Sequence, residues 1–567
     1  MVKNRNLVIF INLIFTLIVL LTIFSARNSS LFLINDDVLI DHILSGRTFN
    51  GQGDVSPFIS FILSKIINAL YSNFGNNLSI YGIFLLTINL FTSLILLNII
   101  SKSKNLIQIG LGSLLIIVLY PTLFYSPTFT ITAFLAIGTG IIGLYIYLDQ
   151  GGRNYLLITL LNMLIIAGIL VRPQAFFGYL VFFGPFIVYK IIKSERFTKL
   201  IFSISFSLIT FIFLLDKFLK TIFLNKSPDY SNYFKFIELR AELSFTNAIF
   251  KAQQLIVDNS IPNSPFKSID FLLLLNWFNL DKSKFNFVNF NYVIDFVDKY
   301  KGINAIFNTN ILDNIERLII ETSSLNKFWI LFILFFVTFM GKNYFKLNIL
   351  ILGILFISFF SGFYFLSAAG RLPYRTIFPV AILLLSSLFV IQELTNKKPK
   401  NYISFIVICV LVLFSFDFHF SNYFGFKQIY KSNIDSLNFY QKREKELSIF
   451  LGDKNVIIAP IDVLPMSIQG TTYRNISWNS SNNSISIDWT AGSPSWNLKA
   501  HRLGINHENV FNSLSKTKNF YYAGTSDSAH ILEDYMIQNN IKIGKLCSIA
   551  NLNGLDVFTY QAKVNDC

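Results

Sequence analysis

A polytopic α-helical membrane protein, with about eleven transmembrane helices and a C-terminal α/β portion outside the membrane, is the fold class this sequence predicts. Three observations predict it. Of 567 residues, 53% are hydrophobic and only 14% charged, against about 25% charged in a soluble domain. Runs of about 20 apolar residues, the length that crosses a bilayer, recur along the chain. The formal net charge of +15 sits largely in short loops between those runs, where basic residues set orientation and meet anionic lipid. No nucleic-acid motif accompanies the charge, so nucleic acid is excluded as its partner.

The N-terminal MVKNRN leads into LVIFINLIFTLIVLLTIF. That apolar part is long for a secretory signal and the following SARNSS is a poor cleavage site, so it reads as a retained first helix. Apolar runs near 7–24, 80–100, 105–123, 128–148, 154–170, 176–192, 199–222, 326–341, 346–367, 373–393 and 401–417 make eleven spans. A twelfth candidate, 58–74, is interrupted by Ser60, Ser64, Lys65 and Asn68. Its helical apolar spacing suits a helix at the interface or packed on the bundle.

The positive-inside rule chooses between the counts. With the N-terminus inside, eleven spans place the basic loops 101–105, 149–154, 190–199, 341–346 and 393–401 in the cytoplasm. A crossing at 58–74 would turn every one of them outward. The chain is therefore expected to be N-in and C-out. A transmembrane module over 1–417 then has external loops at 25–79 and 223–325, and 418–567 forms an extracytoplasmic α/β domain. Within it NVIIAPI (455–461) and LDVFTY (555–560) are strand-like and AHILEDYMIQNN (529–540) is helical. Cys409 falls in an apolar run; Cys547 and Cys567, outside the cytosol, either pair or remain thiols.

The chemistry concentrates in LFLINDDVLIDHILSGRTFNGQGDVSP (31–57), directly after the first span. It holds Asp36, Asp37, Asp41, His42, Arg47 and Asp54. If VLIDHIL is helical, Asp37 and Asp41 share one face. A carboxylate at a low-dielectric boundary tends to hold a proton and can act as a general base. The pair also offers oxygen ligands to a divalent cation such as Mg or Mn, or Asn35 or Asp36 caps a short helix. All three readings stay open, with His42 as ligand or interfacial polar residue.

Arginines stand on the side the orientation rule disfavours. Arg172 in LVRPQAFF and Arg371 and Arg375 in SAAGRLPYRTIFP lie at external span ends. A guanidinium fork suits phosphate, so the three predict an outward-facing pocket for a lipid phosphate; snorkelling to headgroups or pairing with the aspartates is the alternative. Arg240, in the amphipathic stretch 231–245 with Glu238 and Glu242, belongs either to a lid or to a surface helix. NWFNLDKSKFNFVNFNYVIDFVDKY mixes aromatics with Asn, a composition shared by sugar-stacking surfaces and interfacial aromatic belts.

NDD at 35–37, SGRTFNGQGD with the FISFILSKIINALY helix, VRPQ at 171–174 and GRLPYR at 370–375, in this architecture, resemble the GT-C superfamily of membrane glycosyltransferases. The resemblance covers the whole chain and is nearest to bacterial members that decorate surface polysaccharide. It implies a polyprenyl-phosphate-sugar donor, a glycan or lipid-linked acceptor, and inverting single displacement on the outer face of the bacterial cytoplasmic membrane. It makes Asp36 and Asp37 base and partner, and Arg172, Arg371 and Arg375 stabilisers of the leaving phosphate, with Asp41, His42 and Arg240 also on the substrate side. Some members carry Asp–Glu or a proline-rich segment here; this chain has Asp–Asp and a single Pro57. Some members need a divalent ion and others do not.

Two other classes compete. A transporter or flippase of lipid-linked sugars predicts charged or broken helices near mid-membrane and often repeated halves; few mid-span charges are present, Asp216 and Lys217 standing out toward the outer end of span seven, and no repeat. An O-antigen polymerase or ligase shares the external loop and arginines, but not an acidic pair after the first span with a sizeable C-terminal domain.

Overall fold

The computed structural model describes residues 31–32, 35–47, 53–101, 121–244, 248–276, 278, 280–298, 431–465, 482–544 and 546–561, with short pieces inside 311–364. The chain is mostly helical, and several of its helices are apolar enough to cross a membrane. Among the described residues these are α3 (Ile80–Ser101), α4 (Phe129–Asp149) and α7 (Arg196–Lys226), with α5 (Tyr155–Val171) and α6 (Pro173–Lys193) forming a bent pair. The spans expected at 7–24 and beyond 326 lie outside the described residues, apart from those short pieces.

α4 is the centre of the bundle, nearly all of its apolar window being enclosed by neighbours. Glycines let it pack tightly on α5. A Cβ at Gly140 would lie 2.5 Å from Ile165, and one at Gly168 would lie 2.8 Å from Ile137, the small-residue crossing of membrane helices. α7 is the opposite case. Leu200, Ile204, Leu208, Phe211, Leu214 and Phe218 recur every three or four residues and are all exposed. That stripe has no protein to cover it among the described residues, and lipid is the solvent that suits it.

Where the sequence suggests two spans at 154–170 and 176–192, the structure has helices whose axes turn by 116° at a break of one residue, Arg172. Pro173 starts α6, with no N–H to lose at that position. The turn leaves Arg172 in extended conformation at a helix junction.

Two short helices lie against this bundle. α1 (Asn35–Ser45) is buried almost all round: Val38, Leu39, Ile40, Ile43 and Leu44 are all in the core. α2 (Phe61–Phe74) is amphipathic, with Leu63, Ser64, Ile67 and Tyr71 buried. Its 14 residues span only about 21 Å, short of the roughly 30 Å hydrocarbon core. Ser60 caps it, accepting from the Leu63 N–H at 3.0 Å, and Gly75 at φ 76° ends it. The loop between α1 and α2 doubles back so tightly that a Cβ on Gly53 would sit 2.2 Å from the Leu44 carbonyl oxygen.

Beyond α7 come four helices, α8 (Pro228–Ser244), α9 (Ala248–Val257), α10 (Ser268–Leu275) and α11 (Phe287–Val297), packed around Phe266, Phe271, Phe285 and Phe290. A helix over 431–451 then leads into a five-stranded sheet of order β2-β1-β3-β5-β4. β1 (Val456–Pro460) pairs in parallel with β2 (Ser484–Ile487) and β3 (Phe520–Gly524). β4 (Cys547–Leu552) and β5 (Leu555–Thr559) add an antiparallel hairpin. Its turn is Asn553–Gly554, both at positive φ, the pairing a tight hairpin favours. α12 (Pro494–Arg502), α13 (Val510–Lys516) and α14 (Ser526–Gln538) complete this part. Cys547 is disulfide-bonded, and Cys567 lies outside the described residues.

Candidate functional site

α1 carries the acidic cluster and supplies two different environments. From residue 36 to residue 46 only Asp36 is not buried. Asp37 is fully enclosed. Its Oδ1 accepts from the Tyr81 hydroxyl at 3.0 Å and from the Phe129 N–H at 3.0 Å. Phe129 is the first residue of α4, so Asp37 caps the N-terminus of the central helix from another element, where the helix dipole favours negative charge. Burial outweighs these donors and pushes the Asp37 carboxyl from its ordinary 3.8 up to about 7, while Thr128, Phe129 and Tyr81 pull it down and the Asp36 charge adds a small rise.

Asp41, one turn on, is equally enclosed. Its Oδ2 accepts from Arg47 at 2.6 Å, and its Oδ1 receives the hydroxyls of Tyr71 and Ser79. Burial raises its pKa and the Arg47 charge is the main opposing influence. His42 is buried on the same helix. Asp54, on the returning loop, accepts through Oδ2 from the Tyr230 hydroxyl at 2.5 Å and from the Ser495 hydroxyl. Loop, α8 and α12 therefore meet on one carboxylate. Phe58 packs edge-on against Trp489 at 4.6 Å between centroids, and the Tyr233 hydroxyl donates to the Trp489 carbonyl at 2.8 Å.

Arg172 comes to the same place. At the break between α5 and α6 its guanidinium lies 4.5 Å from the centre of the Phe129 ring, the residue whose N–H binds Asp37. Its charge also reaches the Tyr81 hydroxyl. The structure thus brings Asp37, with Asp36 beside it, and Arg172 to the start of α4, while Asp41 lies one turn further along α1 with Arg47, Tyr71 and Ser79. Arg240 is elsewhere: it is buried in α8 and donates to the Leu274 carbonyl at 2.5 Å, and burial holds its pKa well below the usual guanidinium range. Arg371 and Arg375 lie outside the described residues.

Among the described residues no group of three or more His, Cys, Asp and Glu is placed to hold a metal ion. Among the described residues Asp36 and Asp37 have no third His, Cys, Asp or Glu ligand beside them, so by themselves they do not make the six- to eight-oxygen cage of a Ca²⁺ site.

Several members of the cluster carry little sequence signal. Tyr71, Ser79 and Tyr81 are ordinary helix and loop residues until α1 packs on them. Asp488, at the end of β2, is buried and feels the Asp36 charge. Lys499, buried nearby on α12, is lowered by burial to about 7, with Asp488 opposing. Asp216, one of the two charges noted toward the end of span seven, accepts from the Ile62 N–H at 2.8 Å and so caps α2.

No protein-family model and no curated protein matches the chain. Among solved structures, it is similar to the crystal structure of ArnT from Cupriavidus metallidurans in the apo state, with 9% identity, a TM-score of 0.43 and coverage of 98% of both chains. It is similar to the same degree to ArnT from Cupriavidus metallidurans bound to undecaprenyl phosphate, over 98% of this chain and 99% of that one. No residue of this chain takes its role from either.

Proposed function

We propose that this chain is a membrane glycosyltransferase of the GT-C type. It moves a sugar from a polyprenyl-phosphate-linked donor to a glycan or lipid-linked acceptor on the outer face of the bacterial cytoplasmic membrane. The supporting observation is the junction at the start of α4. A partly exposed Asp36 stands next to a buried Asp37, and the Arg172 guanidinium sits over the residue that Asp37 caps. One place therefore offers a base and a cation for phosphate.

The roles divide by environment. Asp36 keeps access to solvent, so it is the base: it takes the proton of the acceptor hydroxyl. The hydroxyl oxygen attacks the anomeric carbon, the carbon–oxygen bond to phosphate breaks, and the polyprenyl phosphate leaves with the bonding pair. The new bond forms on the face opposite the old one, so configuration inverts. Negative charge develops on the leaving phosphate, and Arg172 is the described cation that meets it. Asp37 holds the start of α4 and keeps Asp36 in place. Asp41 with Arg47 locks the other end of α1. Eleven spans, an N-in and C-out orientation and a C-terminal extracytoplasmic domain complete this reading. Asp216 caps α2, which gives one of the two charges that favour the transporter alternative a structural role.

The test is sugar transfer by the purified full chain in detergent, with polyprenyl-phosphate sugars as donors. Asp36→Asn is expected to abolish transfer without lowering thermal stability. Arg172→Ala is expected to reduce kcat by about 10²–10³, the cost of one lost charge-stabilising group. Full transfer by Asp36→Asn would refute the assignment.

A further inference from the structure

A cavity of about 320 Å³ opens between the external helices and the C-terminal sheet portion, the lower end of the roughly 300–1,000 Å³ of small-molecule sites. One wall is α8 and the segment before α11; the other is the start of α12 and the stretch after it. The walls are stitched together. Lys282 N–H donates to the Glu508 carbonyl at 2.9 Å, Val510 N–H to the Leu280 carbonyl at 3.2 Å, and Asp281 bridges Asn509.

The lining has a definite chemistry. Tyr233, Phe236, Phe287 and Trp496 give aromatic and apolar surface, and Asn232 and Asn497 give amides. The Oδ1 of Asn497 is buried and has no hydrogen-bond partner among the described residues, an acceptor in want of a donor. Glu508 pairs with Lys282 at 2.9 Å and lies 3.1 Å from His507, and Asp229 adds a further negative charge, so the lining holds no surplus of cations. A cavity for phosphate would keep a surplus of cations, and one for an acyl chain would lack the amides and ion pair. Flat apolar faces beside neutral donors and acceptors fit the apolar face and hydroxyl rim of a sugar ring.

We propose that this cavity is a glycan subsite, holding sugar rings of the acceptor while its terminal hydroxyl reaches α1. The inference rests on the glycosyltransferase reading for its placement. Tyr233 lines the cavity and also holds the Trp489 carbonyl, next to Asp488, which senses Asp36. The amide- and aromatic-rich stretch 276–300 thereby gains a role through Phe287.

The test is binding, which needs no donor. The full chain in detergent is applied to an array of bacterial surface oligosaccharides, and the retained glycan is then titrated in solution. Asn232→Trp, which fills the cavity, and Phe287→Ala, which removes a ring, are each expected to raise Kd about tenfold, equivalent to about 1.4 kcal/mol, with thermal unfolding unchanged. Retention of no oligosaccharide, or equal Kd in both variants and wild type, would overturn the subsite. Binding without transfer by wild type sinks only the enzymatic reading, and transfer with KM unchanged in both cavity variants sinks only the subsite.

Discussion

Replacing Asp37 by Asn isolates what a buried carboxylate costs this fold. Asp37 has no exposed surface, and its carboxyl is raised from 3.8 to about 7. A raised carboxyl contributes stability in full below its unfolded value; that contribution is lost as pH rises through the folded value. The interval from 3.8 to about 7 is worth about 4 kcal/mol. Asn keeps an Oδ1 acceptor for Tyr81 and Phe129 but presents an amide where Oδ2 stood, at a cost of about 1 kcal/mol. At pH 8 the variant is therefore expected to be more stable than wild type by about 3 kcal/mol. Wild type is expected to lose about 2 kcal/mol between pH 5 and pH 7, and the variant to stay level. Chemical and thermal unfolding in detergent at pH 5, 6, 7 and 8 measure both curves. A variant less stable than wild type at pH 8, or parallel curves, would show that the charge at the start of α4 is net favourable and that the argument from burial fails.

Arg47→Met leaves the enclosed Asp41 without its 2.6 Å partner. A loss of about 3–5 kcal/mol is expected at pH 8, shrinking as pH falls because burial, which raises the Asp41 pKa, favours its protonated form; the same unfolding series reads it. Gly53→Ala forces a methyl against the Leu44 carbonyl oxygen and the Asn68 side chain, so a loss of about 1–3 kcal/mol is expected, with faster proteolytic cutting between α1 and α2. Tyr230→Phe and Ser495→Ala each remove one hydroxyl from Asp54 Oδ2. A double-mutant cycle on unfolding is expected to show about 0.5–3 kcal/mol of coupling; additive effects would show that the two contacts act independently.

What could be read before the fold was known followed from local rules. The apolar runs 80–100, 128–148, 154–170 and 199–222 correspond to α3, α4, α5 and α7, because a run of that length has one low-energy solution in lipid, a helix that satisfies its own backbone. The interruptions in 58–74 mark α2 as one-sided, and its buried face follows the apolar spacing. The strand-like runs 455–461 and 555–560 contain β1 and β5. The Asn553–Gly554 pair is an equally plain hairpin signal, though 555–560 alone does not reveal its partner β4.

The acidic cluster shows where such reading stops. The sequence by itself determined that carboxylates follow the first apolar run and that Asp37 and Asp41 would share a helical face. It could not divide labour between Asp36 and Asp37, since adjacent residues have the same chemistry and only packing distinguishes them. The tertiary structure buried Asp37 against Tyr81 and the start of α4 and left Asp36 accessible. It also brought Arg172 to the cluster and took Arg240 away into a helical layer around Leu274. Those decisions depend on contacts between residues tens to hundreds of positions apart, as with Asp54 and Ser495. Local propensity carries no term for such contacts; burial and the need of each enclosed polar group for a partner supply it.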